Sequence, residues 1–112
     1  MPQDFSELRK QFSDCSKLIA AVGDETRQSI IMALMENPGE GLRVGAITQK
    51  TNLSRPAVSH HIGILRDADI IRQNKQGTMN YYYLNPEKTA ILNLRKLCQG
   101  ILDAMDRCGR EQ

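Results

Sequence analysis

The stretch Leu53-Ser54-Arg55-Pro56-Ala57-Val58-Ser59-His60-His61-Ile62-Gly63-Ile64-Leu65-Arg66 decides how the rest of the chain is read. Ser54 is a natural N-cap, because its hydroxyl can accept from a free backbone amide, and Pro56 sits in the first turn, where its missing N–H costs little. At 100° per residue, Val58, Ile62 and Leu65 cluster on one side of the resulting helix. His60 falls nearly opposite, with Pro56, Ala57 and Ile64 also outward and Ser59 on the flank. His61 lies only about 65° from the centre of the apolar stripe and is expected to be half-packed.

Immediately upstream, Val44 to Thr51 reads as a short helix with Val44 and Ile47 facing inward. Asn52-Leu53-Ser54 forms a tight break, in which asparagine tolerates the left-handed conformation. Downstream, Ile70 to Gln73 and Thr78 to Leu84 read as two strands around a four-residue loop, Asn74-Lys75-Gln76-Gly77. Alternation sends Tyr81 and Tyr83 to one face and Tyr82 to the other. Two helices joined by a three-residue turn and followed by a hairpin make a winged helix-turn-helix, whose second helix protrudes and can enter a DNA major groove.

The flanks complete a single domain spanning residues 1–112, in the order α-α-α-α-β-β-α. Residues 5 to 22 carry an apolar seam of Phe5, Leu8, Phe12, Cys15, Ile19 and Val22, with gaps of three and four that put all six on one helical stripe. Gly23 ends that helix, and Asp24 caps the next, which runs through Ile30, Ile31, Leu34 and Met35 to a stop at Asn37-Pro38-Gly39. Asn85-Pro86 opens a last helix with its own seam of Ile91, Leu94, Cys98, Ile101, Met105 and Cys108. The terminal helices, 4–22 and 86–108, are thus expected to be dimerisation elements, with Phe5, Leu8, Phe12, Ile19, Ile91, Leu94, Ile101 and Met105 at the interface. The plainer alternative is that both helices pack only on their own domain.

Composition narrows the function classes. A chain of 112 residues with 40% apolar and 25% charged side chains supports one modest core. No apolar run is long enough to span a bilayer, and MPQDFSELRK lacks the stretch of a secretory signal, so a cytoplasmic protein with no membrane partner is expected. The net charge is only +2, but it is unevenly spread. Between Gly41 and Pro86, Arg43, Lys50, Arg55, Arg66, Arg72 and Lys75 face only Asp67 and Asp69, a net of +4, while the remainder sums to −2. A basic middle between near-neutral flanks suits a polyanion, although a solvated face would look similar. Within it, Ser54, Arg55, Pro56, Ser59, His60 and Arg66 on the helix and Lys75, Gln76 and Thr78 on the wing are the candidate contacts to double-stranded DNA. Arg55 is the candidate for a bidentate guanine contact. Ser59 and His60 point 100° apart and cannot pair as nucleophile and base, two neighbouring histidines cannot make a catalytic zinc site, and no phosphate loop appears, so no enzyme and no catalytic residue are expected.

The same residues resemble a known family. Leu53 to Ile62, followed by Leu65-Arg66-Asp67-Ala68, is similar to the recognition-helix signature of the ArsR/SmtB repressors. Gly23-Asp24-Glu25-Thr26-Arg27 resembles that family's second-helix start, with Glu25 where proline is common, and Gly77 to Leu84 resembles its wing. The resemblance covers roughly Leu18 to Pro86. It implies a homodimer, built on its first and last helices, that represses transcription and leaves an inverted-repeat operator when an inducer arrives. Family metal sites are not matched: Arg43 and Gly45 stand where a Cys-x-Cys pair would bind, and the last helix offers Asp103 and Asp106 but no histidine. No cofactor is therefore expected at those positions.

Three thiols remain, Cys15, Cys98 and Cys108, all on the apolar seams. Cys98 and Cys108 lie about 15 Å apart along one helix, too far for a disulfide within a chain, and Cys15 is the residue that could reach one of them. Redox or sulfur sensing, a soft-metal or metalloid site, and simple apolar filling all stay open. Two further alternatives are a winged helix used as a protein-interaction module, hinted at by Ala57 and Ile64, and a regulator of another family with an organic effector.

Overall fold

Caps and core contacts divide the chain more finely than its apolar periodicity suggests. The computed structural model describes residues 4–108, so the ends of the 1–112 domain expectation lie outside the described residues. The expected first helix is two: α1 (Ser6–Asp14) and α2 (Ser16–Val22). They meet at Cys15, whose φ of −95° and ψ of 2° leave the helical region. Hydrogen bonding nearly continues across the break, with the Cys15 amide donating to Gln11 and the Ile19 amide to Cys15. Ser13, Asp14, Cys15 and Ser16 are all weak helix formers, so the bend falls where the helix is easiest to break. Beyond it, Cys15, Leu18 and Ala21 are buried, whereas Ile19 of the expected seam is exposed.

Next, α3 (Glu25–Met35) is capped by the Asp24 carboxylate, which accepts from the Arg27 amide at 3.0 Å. Ile30, Ile31, Ala33 and Leu34 are buried, but Met35, expected inside, is exposed: it shares the face of Ile31 but is the last residue of the helix, at its open end. The helix-turn-helix follows as α4 (Val44–Thr51) and α5 (Arg55–Asp67). Ile30, Ile47, Val58 and Leu65 meet in the core with no exposed surface, each contributing about 1.5–3 kcal/mol by leaving water.

The hairpin is β1 (Ile71–Gln76) and β2 (Met79–Leu84), paired antiparallel from Ile71 opposite Leu84 to Gln76 opposite Met79. The expected four-residue loop is instead the two-residue turn Gly77-Thr78. Gly77 has φ 63°, and glycine in the first of two turn positions matches the twist of the strands, so Asn74, Lys75 and Gln76 stay in the ladder. Tyr82 is buried while Tyr81 and Tyr83 are half-buried on the other face, as alternation requires. Leu42 joins the wing: its amide donates to the Tyr82 carbonyl at 2.9 Å, and the Tyr82 amide donates back at 2.8 Å. Gly41 permits this approach, since it has φ 94° and an added Cβ would stand 2.2 Å from the Tyr82 carbonyl oxygen.

The last helix, α6 (Thr89–Cys108), starts three residues later than expected. Asn85 explains the delay: its carboxamide accepts from the Glu87 amide and donates to the Asp69 carbonyl, holding residues 85–87 in a turn. The expected seam of α6 proves to be two adjacent stripes. Ala90, Leu94, Leu97, Ile101 and Ala104 turn toward the chain's own body, whereas Ile91, Cys98, Leu102, Met105 and Cys108 are exposed. α1 lies against α6, with Leu8 so close to Gly100 that an added Cβ would stand 2.6 Å from it. The chain extends 60 × 28 × 22 Å with a radius of gyration of 17.5 Å, against about 13 Å for a compact chain of this length. Among the described residues no helix is long and apolar enough to cross a membrane.

Candidate nucleic-acid interface

Local chemistry sets the angle between α4 and α5. Asn52 closes α4 in the left-handed conformation, φ 58° and ψ 26°, with its amide donating to the Thr48 carbonyl. Ser54 then accepts the Ala57 amide on its hydroxyl at 3.2 Å, opening α5 with Pro56 in the first turn. Val58, Ile62 and Leu65 anchor one face, leaving Ser54, Arg55, Pro56, Ser59, His60 and Arg66 exposed on the other. Lys75, Gln76 and Thr78 are exposed around the wing turn. Ile64 and Ala57, expected outward, are not: Ile64 packs on the core and Ala57 is half-buried.

His61 is half-buried as its angle predicts, its ring 5.2 Å from that of His60 in an edge-on arrangement and its Nδ1 3.2 Å from Nη1 of Arg27. Arg66 is held by Gln73 of β1, which in turn donates to Asn80 of β2 at 2.7 Å. This chain of side chains ties the end of α5 to the wing. Arg72 pairs with Glu87, just ahead of α6, at 3.4 Å. Among the described residues, Arg43, Lys50, Arg55 and Lys75 make no ion pair with an acidic side chain.

A groove of about 510 Å³ runs between the start of α4, the start of α5 and β2. Arg43, Gln49, Arg55, Thr78 and Tyr81 line it, with no acidic residue in the wall. Arg43 was missed as a candidate contact, because the family comparison drew attention to it only as a position unable to bind metal. Its inclusion in the basic middle was the available signal. An anionic backbone suits such a groove, since two guanidinium groups and the amides opening α4 all carry positive character there.

The thiols are not gathered. Cys15, on the apolar seam of the first helix, is buried within the chain beside a cavity of about 380 Å³ between the α1–α2 break and the start of α6. Cys98 and Cys108 are exposed on α6, and all three are free. Among the described residues, no three histidine, cysteine or carboxylate side chains are grouped to hold a metal ion. Of the expected interface residues, Phe12, Ile19, Ile91 and Met105 are exposed, whereas Phe5, Leu8, Leu94 and Ile101 are half-buried within the chain itself.

Residues 24–73, from the α3 cap through the first half of β1, match the model of the bacterial regulatory protein, arsR family. The transcriptional repressor SdpR of Bacillus subtilis is 34% identical over 70 residues, covering 62% of this chain and 74% of that protein. The arsenical resistance operon repressor of Escherichia coli is 31% identical over 96 residues, covering 86% of this chain and 75% of that one. The fold alone is shared with NolR from Sinorhizobium fredii, with a TM-score of 0.66 at 22% identity over 88% of this chain and 94% of that chain. A capped, protruding α5 beside a glycine-turned wing, on a sequence this close to those relatives, makes the chain a member of the ArsR family of helix-turn-helix transcriptional regulators.

Proposed function

We propose that the chain is a homodimeric repressor that sets α5 of each protomer into a major groove of an inverted-repeat operator, the half-sites about one helical turn apart. The observation that carries this reading is the division of its surface. One side presents the Ser54-capped end of α5, with Arg55, Ser59, His60 and the Lys75–Thr78 wing tip exposed. Away from it, α6 exposes Ile91, Leu102 and Met105, an apolar stripe that a second copy would cover. The inward position of Ile64 favours DNA over a protein-interaction module, since it removes the larger of the two apolar groups such a module would present.

Release by an inducer is assigned to the terminal helices, through the thiols. Cys98 and Cys108 are both exposed on α6, Cys98 beside the apolar stripe and Cys108 at the helix end, so pairing of two copies through this helix would bring a second set of thiols near. Loss of two electrons and two protons from a pair of thiols to an oxidant such as a peroxide, giving a disulfide, transfer of a sulfane sulfur from a polysulfide, giving a persulfide and a shortened polysulfide, or capture of a soft metal or a metalloid fits thiolate chemistry; the Escherichia coli relative is named for arsenical resistance. Linkage requires the inducer to bind the DNA-incompetent form more tightly.

The test is a fluorescence-anisotropy titration against the duplex upstream of the protein's own gene, fully reduced and then after mild thiol oxidation. Tight reduced binding that collapses on oxidation is expected, and replacing all three cysteines with serine should preserve binding while abolishing the response. Binding indifferent to oxidation removes the thiols from the mechanism. Equal affinity for that duplex and a random one overturns the repressor reading for this site.

A further inference from the structure

We infer that Gly45 is a positioning residue for Arg55, a role that rests on the reading of Arg55 as an operator contact. Gly45 is the second residue of α4, a place where alanine would make a more stable helix. A Cβ built there would stand 2.9 Å from Nη2 of Arg55 and 3.7 Å from its Cζ. The guanidinium therefore lies directly against the α4 backbone, in the space a side chain would fill. Both residues line the groove that Arg43, Thr78 and Tyr81 complete.

The arrangement has a chemical purpose. A bidentate guanine contact needs the planar guanidinium fork presented at a fixed angle. Arginine on an open surface samples many rotamers, and ordering it on binding weakens the complex. The missing side chain at residue 45 leaves a shelf on which the Arg55 head rests at the mouth of the groove, close to the start of α5. A side chain there would displace the head from this position.

The experiment titrates wild type, Gly45→Ala, Gly45→Leu, Arg55→Ala and Gly45→Ala with Arg55→Ala against the fluorescein-labelled duplex upstream of the gene and a random duplex, with a thermal melt of each protein. Gly45→Ala should melt at or above wild type yet bind the upstream duplex about tenfold more weakly, with random binding unchanged. Gly45→Leu should lose at least as much. In the Arg55→Ala background the glycine change should cost nothing further. Wild-type affinity in both Gly45 variants, with Arg55→Ala impaired, overturns the shelf while leaving Arg55 as a contact. The same Gly45→Ala loss with and without Arg55 overturns it too. Should Arg55→Ala leave the ratio of upstream to random binding unchanged, the reading beneath it fails.

Discussion

Arg27 donates from Nη1 to Nδ1 of His61 at 3.2 Å, and the same head donates through Nε to the Ala21 carbonyl at 2.9 Å and through Nη2 to the Ala20 carbonyl at 3.2 Å. Arginine has no acceptor, so in this contact the Arg27 head donates and Nδ1 of His61 accepts. One side chain thus joins the last carbonyls of α2 to the middle of α5. Arg27→Met should lower unfolding free energy by about 1–3 kcal/mol, seen as an earlier urea midpoint at unchanged slope. Arg27→Lys should not restore it, because an ammonium cannot span three acceptors in that fork.

Asp24 supplies an acid-sensitive cap. The Arg27 amide donating to its carboxylate, with help from nearby positive charge, holds its pKa below the ordinary 3.8. A carboxyl depressed on folding adds stability that is complete above its unfolded pKa and disappears as pH falls through the folded value. Asp24→Asn keeps an acceptor but has nothing to titrate. The drop in melting temperature between pH 7 and pH 3 should therefore shrink in that variant, and an equal drop would locate acid sensitivity elsewhere.

Gly41 and Gly39 separate strain from collision. Both have positive φ, 94° and 101°, but only Gly41 would drive a Cβ into the Tyr82 carbonyl; nothing lies within 4 Å of Gly39. Gly39→Ala should cost about 1 kcal/mol from backbone conformation alone. Gly41→Ala should cost clearly more and expose the amides of Leu42 and Tyr82 to hydrogen exchange, with the rest of the core still protected.

Arg55 and Lys75 should differ in kind. Arg55→Ala is expected to weaken binding to the upstream duplex by about 1–3 kcal/mol with little effect on random DNA. Lys75→Ala should weaken both alike and lower the salt slope by about one. Equal losses on both duplexes for Arg55→Ala would reassign it to the phosphate backbone.

The two stripes of α6 give opposite outcomes. Leu97 is 1% exposed and Leu102 is 55% exposed. Leu97→Ala should destabilise the fold by about 2–5 kcal/mol. Leu102→Lys should leave the folded chain intact but shift sedimentation toward a single chain and weaken operator binding. A Leu102→Lys protein that sediments unchanged would mean that this stripe is not where copies meet.

Legibility followed locality. The helix-turn-helix could be read from Asn52, Ser54, Pro56 and the Val58–Ile62–Leu65 spacing, because a cap or a buried stripe is specified by residues a few positions apart. The terminal helices were harder. Leu94 and Ile101 sit only about 20–80° around α6 from Ile91, Cys98 and Met105, so a spacing of three and four merges the inward stripe with the outward one. Polar Asn74, Lys75 and Gln76 looked like a loop, yet a wing standing in water builds its strands from such residues. The meeting of Arg55 with Gly45 crosses a turn and depends on the absence of a side chain, which periodicity does not register.

The wing is fastened to the helix-turn-helix at two points, the Leu42–Tyr82 backbone bridge at one and the Arg66–Gln73–Asn80 relay at the other. Both fastenings meet the hairpin at the Gln73–Tyr82 rung, one on each strand, so the base of the wing does not swing independently of the helices. In a pair of such chains, a signal arriving at α1 or α6 would therefore find two stiff reading heads whose internal shape is already settled. What it could alter is the span and tilt between them, as one changes the reach of callipers without bending either jaw.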